Sequence, residues 1–190
     1  MEDAIQISED FMGAVDDKLE YLQNSSRRNN VKVMGIAESP NFVESWDESE
    51  TIVKEKIKSL LNITEDLVIE RAHRIGRPKE FHTRADGSKG KARPRPIVAK
   101  FMSWKQKEQV VRKAREVKPH DVKFVTDFSQ RTLSRRHDLV PRMLEARKNG
   151  KVAYLIGSKL IVKDGKVNQS QRSVDQDESL DTEITFNSSL

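Results

Sequence analysis

The stretch RPRPIVAKFMSWKQKEQVVRKAREVKP, residues 93–119, joins the pattern of a strand directly to the pattern of a helix. In its segment IVAKF, Ile97, Ala99 and Phe101 share one side of an extended chain, because side chains along a strand point alternately to opposite faces. The other face of this strand carries Val98 and Lys100. The stretch therefore predicts a strand that buries one apolar face, followed at once by a helix.

The second half of the stretch defines that helix. Ser103 and Gln106 have the spacing of a capping box, in which two side chains bond the free backbone N–H groups at a helix start, and Pro119 ends the pattern. Helical spacing also predicts one buried face, which contains Val110, Val111, Ala114 and Val117.

The same order of strand and helix occurs upstream. The segment VKVMGI, residues 31–36, predicts a short strand, and Ser45 with Glu48 has the spacing of a second capping box. The buried face of this second helix contains Val53, Ile57, Leu60 and Leu61. The segment LVIERAHRIG, residues 67–76, predicts another strand, and the glycine- and lysine-rich residues 81–96 predict a mobile loop.

A fourth strand is predicted by VKFVTDF, residues 122–128, so the middle of the chain reads strand, helix, strand, strand, helix, strand. This is the order of elements in a ferredoxin-like domain and in the RNA-recognition motif. We therefore expect an α+β fold. Its expected parts are a coiled-coil helix at 1–26, a ferredoxin-like RNA-recognition-motif domain at 27–128, a small helix-and-hairpin domain at 129–167 and a disordered tail at 168–190.

The N-terminal segment has the spacing of a short coiled coil. Its two inner heptad positions hold Ile5, Ser8, Met12, Val15, Leu19 and Leu22. We expect oligomerisation through the last four of these residues. The alternative is a loose helix that lies on the rest of the protein, because three heptads are short for an isolated coiled coil.

The segment after the central domain predicts one helix and one hairpin. The helix contains Leu133, Val140 and Leu144 and ends near Asn149, and Pro141 is expected either to kink it or to begin a new turn. The following residues, KVAYLIGSKLIVKDGKV, alternate in polarity on either side of a Gly-Ser pair, which predicts two strands joined by a tight turn.

Charge is distributed unevenly along the chain. The whole sequence has 35 Lys and Arg against 30 Asp and Glu, yet residues 71–100 alone contain ten basic residues and two acidic ones. Residues 1–22 and 164–190 are acidic. A basic middle between acidic ends indicates a surface for a polyanion, although a solvated charged face is the alternative.

Several classes of protein do not fit the composition. The chain has no cysteine, which disfavours a disulfide-linked secreted domain, and it has neither a signal peptide nor an apolar stretch long enough to span a membrane. Its four histidines are not at metal-ligand spacing, and it contains neither a GxxxxGK[ST] nor a GxSxG motif. We expect a soluble protein without catalytic activity, cofactor or metal, and without a membrane partner.

Five segments occur in one order and resemble a known family. They are RRNNVKVMGI, VIERAHRIGRP, RPIVAKF, KAREVK and VTDFSQRTLSRR, and the likeness extends from about Arg27 to Lys163. The family is the first-open-reading-frame protein of LINE-type retrotransposons, also called transposase 22. The resemblance implies a trimeric coiled coil, an RNA-recognition motif and a small C-terminal domain that together coat RNA and act as a nucleic-acid chaperone. The coiled coil of this chain is shorter than the one usual in that family.

The resemblance also implies which residues hold RNA. The family's RNA-binding arginines match Arg74, Arg95, Arg115 and either Arg135 or Arg136. Guanidinium groups suit this role because their planar fork binds phosphate oxygens at two points. Further basic residues that could extend this track are Arg28, Arg71, Arg77, Arg93 and Lys100. For each arginine the alternative is an ion pair with a nearby acid, and Glu70 and Glu116 are candidate partners.

The expected function is binding of single-stranded RNA, and of DNA as a second candidate, in a cytoplasmic ribonucleoprotein. An ordinary RNA-recognition motif stacks bases on aromatic residues of its central strands, but the outward positions here are Lys32, Val98 and Lys100. Binding should then depend on phosphate contacts. Two alternatives stay open: KGKARPRP as a nuclear-import signal, and a protein-interaction scaffold of the same fold that does not bind RNA.

Overall fold

The computed structural model describes residues 2–39, 41–78, 81–83 and 89–164, so the tail expected at 168–190 lies outside the described residues. Within these ranges the helices are α1 (Glu2–Ser26), α2 (Trp46–Leu61), α3 (Trp104–Val117) and α4 (Gln130–Lys148). The strands are β1 (Asn30–Met34), β2 (Ile69–Arg74), β3 (Phe81–Thr83), β4 (Lys89–Lys91), β5 (Ile97–Phe101), β6 (Lys123–Thr126), β7 (Val152–Ile156) and β8 (Lys159–Lys163). Helices and antiparallel strands together give an α+β fold.

The chain divides into two compact units. The central unit is Arg28–Asp127, and the terminal unit joins Met1–Arg27 with Phe128–Leu190. Helix α1 is therefore grouped with the C-terminal elements, whereas the sequence pattern predicted residues 1–26 and 129–167 as separate parts.

A four-stranded antiparallel sheet organises the central unit. Its strand order is β2-β5-β1-β6, and helices α2 and α3 pack on one of its faces. Burial of apolar side chains between these layers is the main favourable term for folding. The core includes Val31, Val33, Val53, Ile57, Leu61, Ile97, Ala99, Phe101, Val110 and Ala114.

A bulge in β2 decides which of its side chains reach this core. Ile69 is opposite Phe101 and Arg71 is opposite Lys100, so one extra residue, Glu70, interrupts the pairing. Such a bulge reverses the alternation of the residues that follow it. As a result Ala72 is fully buried on the helix side.

The face opposite the helices, which we call the distal face, is fixed by the same pairing. Arg71 and Lys100 are opposite each other on it, and so are His73 and Val98. Lys32 of β1 is opposite Val98, so Lys32, Val98 and Lys100 share this face as predicted, but Val98 is buried there. The distal face also contains Asn30, Met34, Lys123 and Val125.

The start of α2 confirms the first predicted capping box. The backbone N–H of Glu48 donates to Ser45 Oγ at 3.1 Å, and the backbone N–H of Ser45 donates to Glu48 Oε2 at 2.7 Å. These bonds satisfy N–H groups that a helix start otherwise leaves unpaired. The hydrogen bonds from the backbone and side chain of Ser45 lower the pKa of Glu48.

The capping box predicted at the start of α3 is wrong. The side chain of Ser103 makes no capping hydrogen bond. Gln106 turns instead to the segment before β2, where its side chain accepts from the backbone of Val68 and donates to the carbonyl of Asp66. The predicted buried face also ends one turn early, because Val117 is 44% exposed.

Residues 81–96 were predicted to be a mobile loop, and this prediction is wrong for part of the segment. Strands β3 and β4 form a two-stranded antiparallel sheet in which Phe81 is opposite Lys91 and Thr83 is opposite Lys89. Backbone pairing between the two ends of a loop can form where a sequence has no apolar alternation, since the hydrogen bonds do not depend on side-chain type.

The terminal unit contains α1, α4 and the hairpin β7-β8. The hairpin confirms the predicted turn, since Ile156 is opposite Lys159 across Gly157 and Ser158. A small core of Met143, Ala153 and Leu155 forms between α4 and the hairpin.

Helix α1 is tied to the start of α4 by buried polar contacts. The hydroxyl of Thr132 donates to Glu20 Oε1 at 2.7 Å, and Asn24 bonds both Thr132 and the backbone N–H of Ser129. Another side of α1 is exposed and includes the predicted oligomerisation residues Met12, Val15, Leu19 and Leu22. No helix in the described ranges is apolar and long enough to cross a membrane.

Gly35 provides a test of the packing between β1 and β6. Its φ is +92°, and an added Cβ would lie 1.9 Å from the carbonyl oxygen of Asp121. We expect Gly35→Ala to lower the free energy of unfolding by about 1–2 kcal/mol for the backbone conformation and by about 1–3 kcal/mol more for overpacking. Urea unfolding of the purified protein measures the loss.

Gly76 is the matched control for this substitution. Its φ is +93°, but an added Cβ would meet nothing within 4 Å. Gly76→Ala should therefore show the backbone cost alone. Equal losses for the two variants would contradict the close approach between Gly35 and Asp121.

Candidate nucleic-acid interface

The basic residues of the central unit differ in what surrounds them. Arg71, Arg77 and Arg93 are exposed, and all three lie on or next to the neighbouring strands β2 and β5. Arg28, which precedes β1, is also exposed. These four guanidinium groups can reach a ligand in solution without breaking a buried contact.

Lys100 lies on the distal face but shares its charge with an acid. Its Nζ is 2.8 Å from Glu70 Oε2, and both side chains are partly exposed. Such a pair is worth little in water, since solvent screens it. A phosphate could therefore compete with Glu70 for Lys100. The prediction of Glu70 as a partner for an arginine is wrong, because Glu70 pairs with this lysine.

Arg115 lies apart from the distal-face residues. It is exposed on α3, which packs on the opposite face of the sheet. Glu116, the other predicted partner, is instead 3.2 Å from Lys113.

Arg74 is a structural residue rather than a surface one. The reversed alternation after the bulge turns it to the helix side, where its side chain is only 4% exposed. Its Nε and Nη2 bond Glu44 Oε2 at 3.0 and 2.9 Å. The remaining donors reach the carbonyl oxygens of Ile36, Ala37 and Arg95, each at 2.8 Å. The role of RNA contact predicted for Arg74 does not fit this environment, because its guanidinium is already surrounded by acceptors.

Arg95 has a similar internal role. Its Nε donates to Glu38 Oε2 at 2.7 Å, and its own backbone N–H donates to Glu38 Oε1 at the same distance. Its Nη2 reaches the carbonyl of Phe42 at 3.2 Å. Arg74 and Arg95 therefore hold the connection between β1 and α2 against the ends of β2 and β5, and neither presents its guanidinium to a phosphate.

In the terminal unit, acids of α1 surround the arginines at the start of α4. Arg135 Nη1 is 2.8 Å from Glu20 and its Nη2 is 3.0 Å from Asp17. The hydrogen bond that Arg135 donates to Asp17 raises the pKa of Arg135 above its ordinary value. Arg131 pairs with the neighbouring Asp16 at 2.9 Å. Both arginine side chains are partly exposed, so a phosphate would compete with these carboxylates for them.

Arg136 is buried and supports the hairpin. It donates to the carbonyl of Gly157 at 2.8 Å, and its guanidinium lies 5.1 Å from the ring centre of Phe128. Tyr154, the aromatic residue of the hairpin, is half-buried with Lys163 Nζ 5.9 Å from its ring centre. Of the arginines predicted by resemblance, Arg115 is exposed and Arg135 is partly exposed but paired with acids of α1, whereas Arg74, Arg95 and Arg136 have internal partners.

Two aromatic residues near the basic strands were not singled out in the sequence. Trp46 begins α2 and is exposed, and its ring centre is 6.1 Å from that of His73. The guanidinium of Arg71 lies 5.9 Å from the centre of the same indole. The outward position of His73 depends on the bulge at Glu70, and the nearness of Trp46 depends on the packing of α2, so neither follows from local spacing.

Comparison with known proteins adds no family to this description. The chain matches no protein-family model and no curated protein. The resemblance to LINE-type proteins therefore rests on the sequence motifs alone.

Two arginines of one strand test the difference between structural and surface roles. Arg74→Ala leaves the carboxylate of Glu44, which is 6% exposed, without its cation. We expect a loss of about 3–5 kcal/mol in the free energy of unfolding. Arg71→Ala removes one exposed contact with Trp46 and should cost less than about 1 kcal/mol. Chemical denaturation of both variants measures the difference. Similar losses would refute the assignment of Arg74 as structural.

Proposed function

We propose that this protein binds single-stranded RNA, coats it in a cytoplasmic ribonucleoprotein and acts as a nucleic-acid chaperone without catalysing a reaction. The observation that carries the proposal is a set of exposed arginines along the outer edge of the sheet. Arg71 of β2 is opposite Lys100 of β5, Arg77 follows the end of β2, and Arg93 precedes the start of β5. Exposed guanidinium groups attract the phosphates of a flexible strand, and their binding releases the counterions of that strand.

The topology of the central unit supports this proposal. Its element order and its strand order β2-β5-β1-β6, with two helices on one face, match the ferredoxin-like arrangement of the RNA-recognition motif. Proteins with that motif bind single strands on the face without helices. We infer that the distal face and the basic edge at β2 form the corresponding surface here.

Phosphate contacts also explain how a chaperone could work. Contacts to the backbone carry no base information, so the protein can release and rebind at any position on a strand. Neutralised strands repel one another less, which favours both annealing and the replacement of an imperfect duplex. Because Arg74 and Arg95 are internal, we assign the RNA contacts to Arg28, Arg71, Arg77, Arg93 and Lys100. Arg115 would add a separate contact on α3, outside the distal face.

Self-association would multiply these contacts. The exposed residues Met12, Val15, Leu19 and Leu22 of α1 have the heptad spacing of a seam. We propose that copies of the chain join through this seam, with a trimer as one candidate state. Linked copies hold the same strand at several points, which raises the overall affinity without any new type of contact.

A second candidate function is a protein-interaction scaffold. Val68, Met102 and Trp104 are exposed apolar residues, and the backbone N–H of Met102 donates to the carbonyl of Val68 at 3.0 Å. Exposed apolar residues in one place often mark contacts with other proteins. RNA binding that depends on Arg71, Arg77 and Arg93 would separate the two candidates.

Replacing Arg71, Arg77 and Arg93 with alanine tests the proposed surface. We expect weaker binding of single-stranded RNA, and a plot of log affinity against log salt that is shallower by about 2, because each phosphate contact contributes roughly 0.7 to the slope for single strands. The same variant should accelerate strand exchange less than the wild type. Filter binding at several salt concentrations and a fluorescence strand-exchange assay provide the two measurements.

The matched control removes three cations from another element. Lys54, Lys56 and Lys58 lie on α2, and replacing them with alanine changes the net charge by the same amount. This variant should keep the wild-type salt slope. If both variants lose the same affinity, binding responds to net charge rather than to a site, and the proposed surface is wrong.

The seam of α1 is tested with two added charges. Val15→Glu with Leu22→Glu should convert an oligomer to a monomer, because the carboxylates would be buried in the seam. Gln6→Glu with Gln23→Glu adds the same charge on exposed positions outside the seam and should leave the assembly unchanged. Sedimentation velocity gives the mass of each form, and a monomeric wild type would contradict self-association.

A further inference from the structure

Trp46 has an unusual position for a large apolar side chain. It is the first residue of α2 and is 61% exposed. The capping box of Ser45 and Glu48 stabilises the start of the helix, so the side chain of Trp46 is not needed there as a cap. Its indole therefore lies on a fixed backbone while most of its surface remains in contact with solvent.

The surroundings of Trp46 belong to the basic edge of the sheet. His73 lies 6.1 Å away between ring centres, with the two rings tilted by 38°, and Arg71 lies over the indole at 5.9 Å. In the pairing of β2 with β5, these two β2 residues are opposite Val98 and Lys100 of the distal face. Aromatic and cationic groups are thus adjacent at the outer strand of the sheet.

We propose that Trp46 and His73 form a stacking site for one base of a single-stranded nucleic acid, with Arg71 holding the neighbouring phosphate. This inference rests on the proposed function and adds to it a contact with the base itself. Every base has a flat π surface that can stack on an aromatic ring, so such a site binds bases without reading their edges. An arginine beside the ring supplies the opposite charge that the phosphate requires.

The charge at this site favours an anion over an uncharged or basic ligand. Two of the acids that flank Trp46 in sequence are engaged: Glu44 is paired with buried Arg74, and Glu48 accepts the backbone N–H of Ser45. The exposed charge of Arg71 at the indole is therefore available to an anion. Bases in a duplex are already stacked on each other, so the site selects single strands.

The fluorescence of Trp46 reports directly on stacking. The chain has two tryptophans, so Trp104→Phe leaves Trp46 as the single emitting tryptophan. We expect a short single-stranded oligo(dA) to quench its emission, and an abasic strand of the same length and charge to change it little. Equal changes with both strands, or quenching by a proline-rich peptide but not by oligo(dA), would overturn the proposal.

Affinity measurements provide the second test. Stacking is worth about 1–3 kcal/mol per base, so Trp46→Ala should weaken oligo(dA) binding by about 5- to 150-fold at fixed salt. The same change should leave abasic-strand binding unaltered. Trp46→Phe should retain most of the affinity, and Trp104→Ala, which removes the other exposed tryptophan, should bind as the wild type does.

The outcomes separate this inference from the proposed function. If both strands bind with steep salt dependence and Trp46→Ala has no effect, the stacking site is wrong and phosphate binding stands. If neither strand binds, the proposed function fails and the stacking site with it. Thermal unfolding checks that Trp46→Ala is folded, and the fluorescence test with Trp104→Phe does not depend on that variant.

Discussion

The buried ion pair between Arg74 and Glu44 is the contact on which the geometry of the central unit depends. One guanidinium joins the carboxylate of Glu44 to the carbonyl oxygens of Ile36, Ala37 and Arg95, so the segment after β1 is held against the ends of β2 and β5. Removing charges from water is costly, and only a full set of partners offsets that cost. The bulge at Glu70 orients the side chains of β2, so Arg74 points toward this ion pair while Arg71 and His73 point to the distal face.

Local patterns in the sequence predicted most of the helices and strands, because the alternation of apolar residues and the capping side chains act between residues that are close in sequence. The alternation of apolar and polar residues predicted β1, β2, β5, β6 and the final hairpin. The capping box of Ser45 predicted the start of α2. The second capping box failed at Ser103 because Gln106 found partners near β2, far away in sequence. A capping motif describes what two side chains can do, and tertiary contacts decide whether they do it.

The candidate site was harder to predict, for reasons of charge and pairing. Arg71 and Arg74 are both basic residues of one strand, and only the bulge at Glu70 places the first outside and the second inside. The buried partner of Arg74, Glu44, is thirty residues earlier in the chain. The same holds for Arg135, whose ion-pair partners Asp17 and Glu20 lie on α1, far away in sequence. A count of charges along a sequence cannot distinguish arginines with such distant partners from arginines that face solvent.

Exposed arginines and an exposed aromatic ring would contribute different properties to one binding surface. Phosphate contacts are strong at low salt and nearly uniform along a strand, so they supply affinity and allow movement. Stacking on Trp46 depends on an unpaired base and is much less sensitive to salt. A protein with both contacts holds single strands in preference to duplexes while still exchanging its position on them. That combination favours the separation of mispaired strands over the trapping of any one sequence.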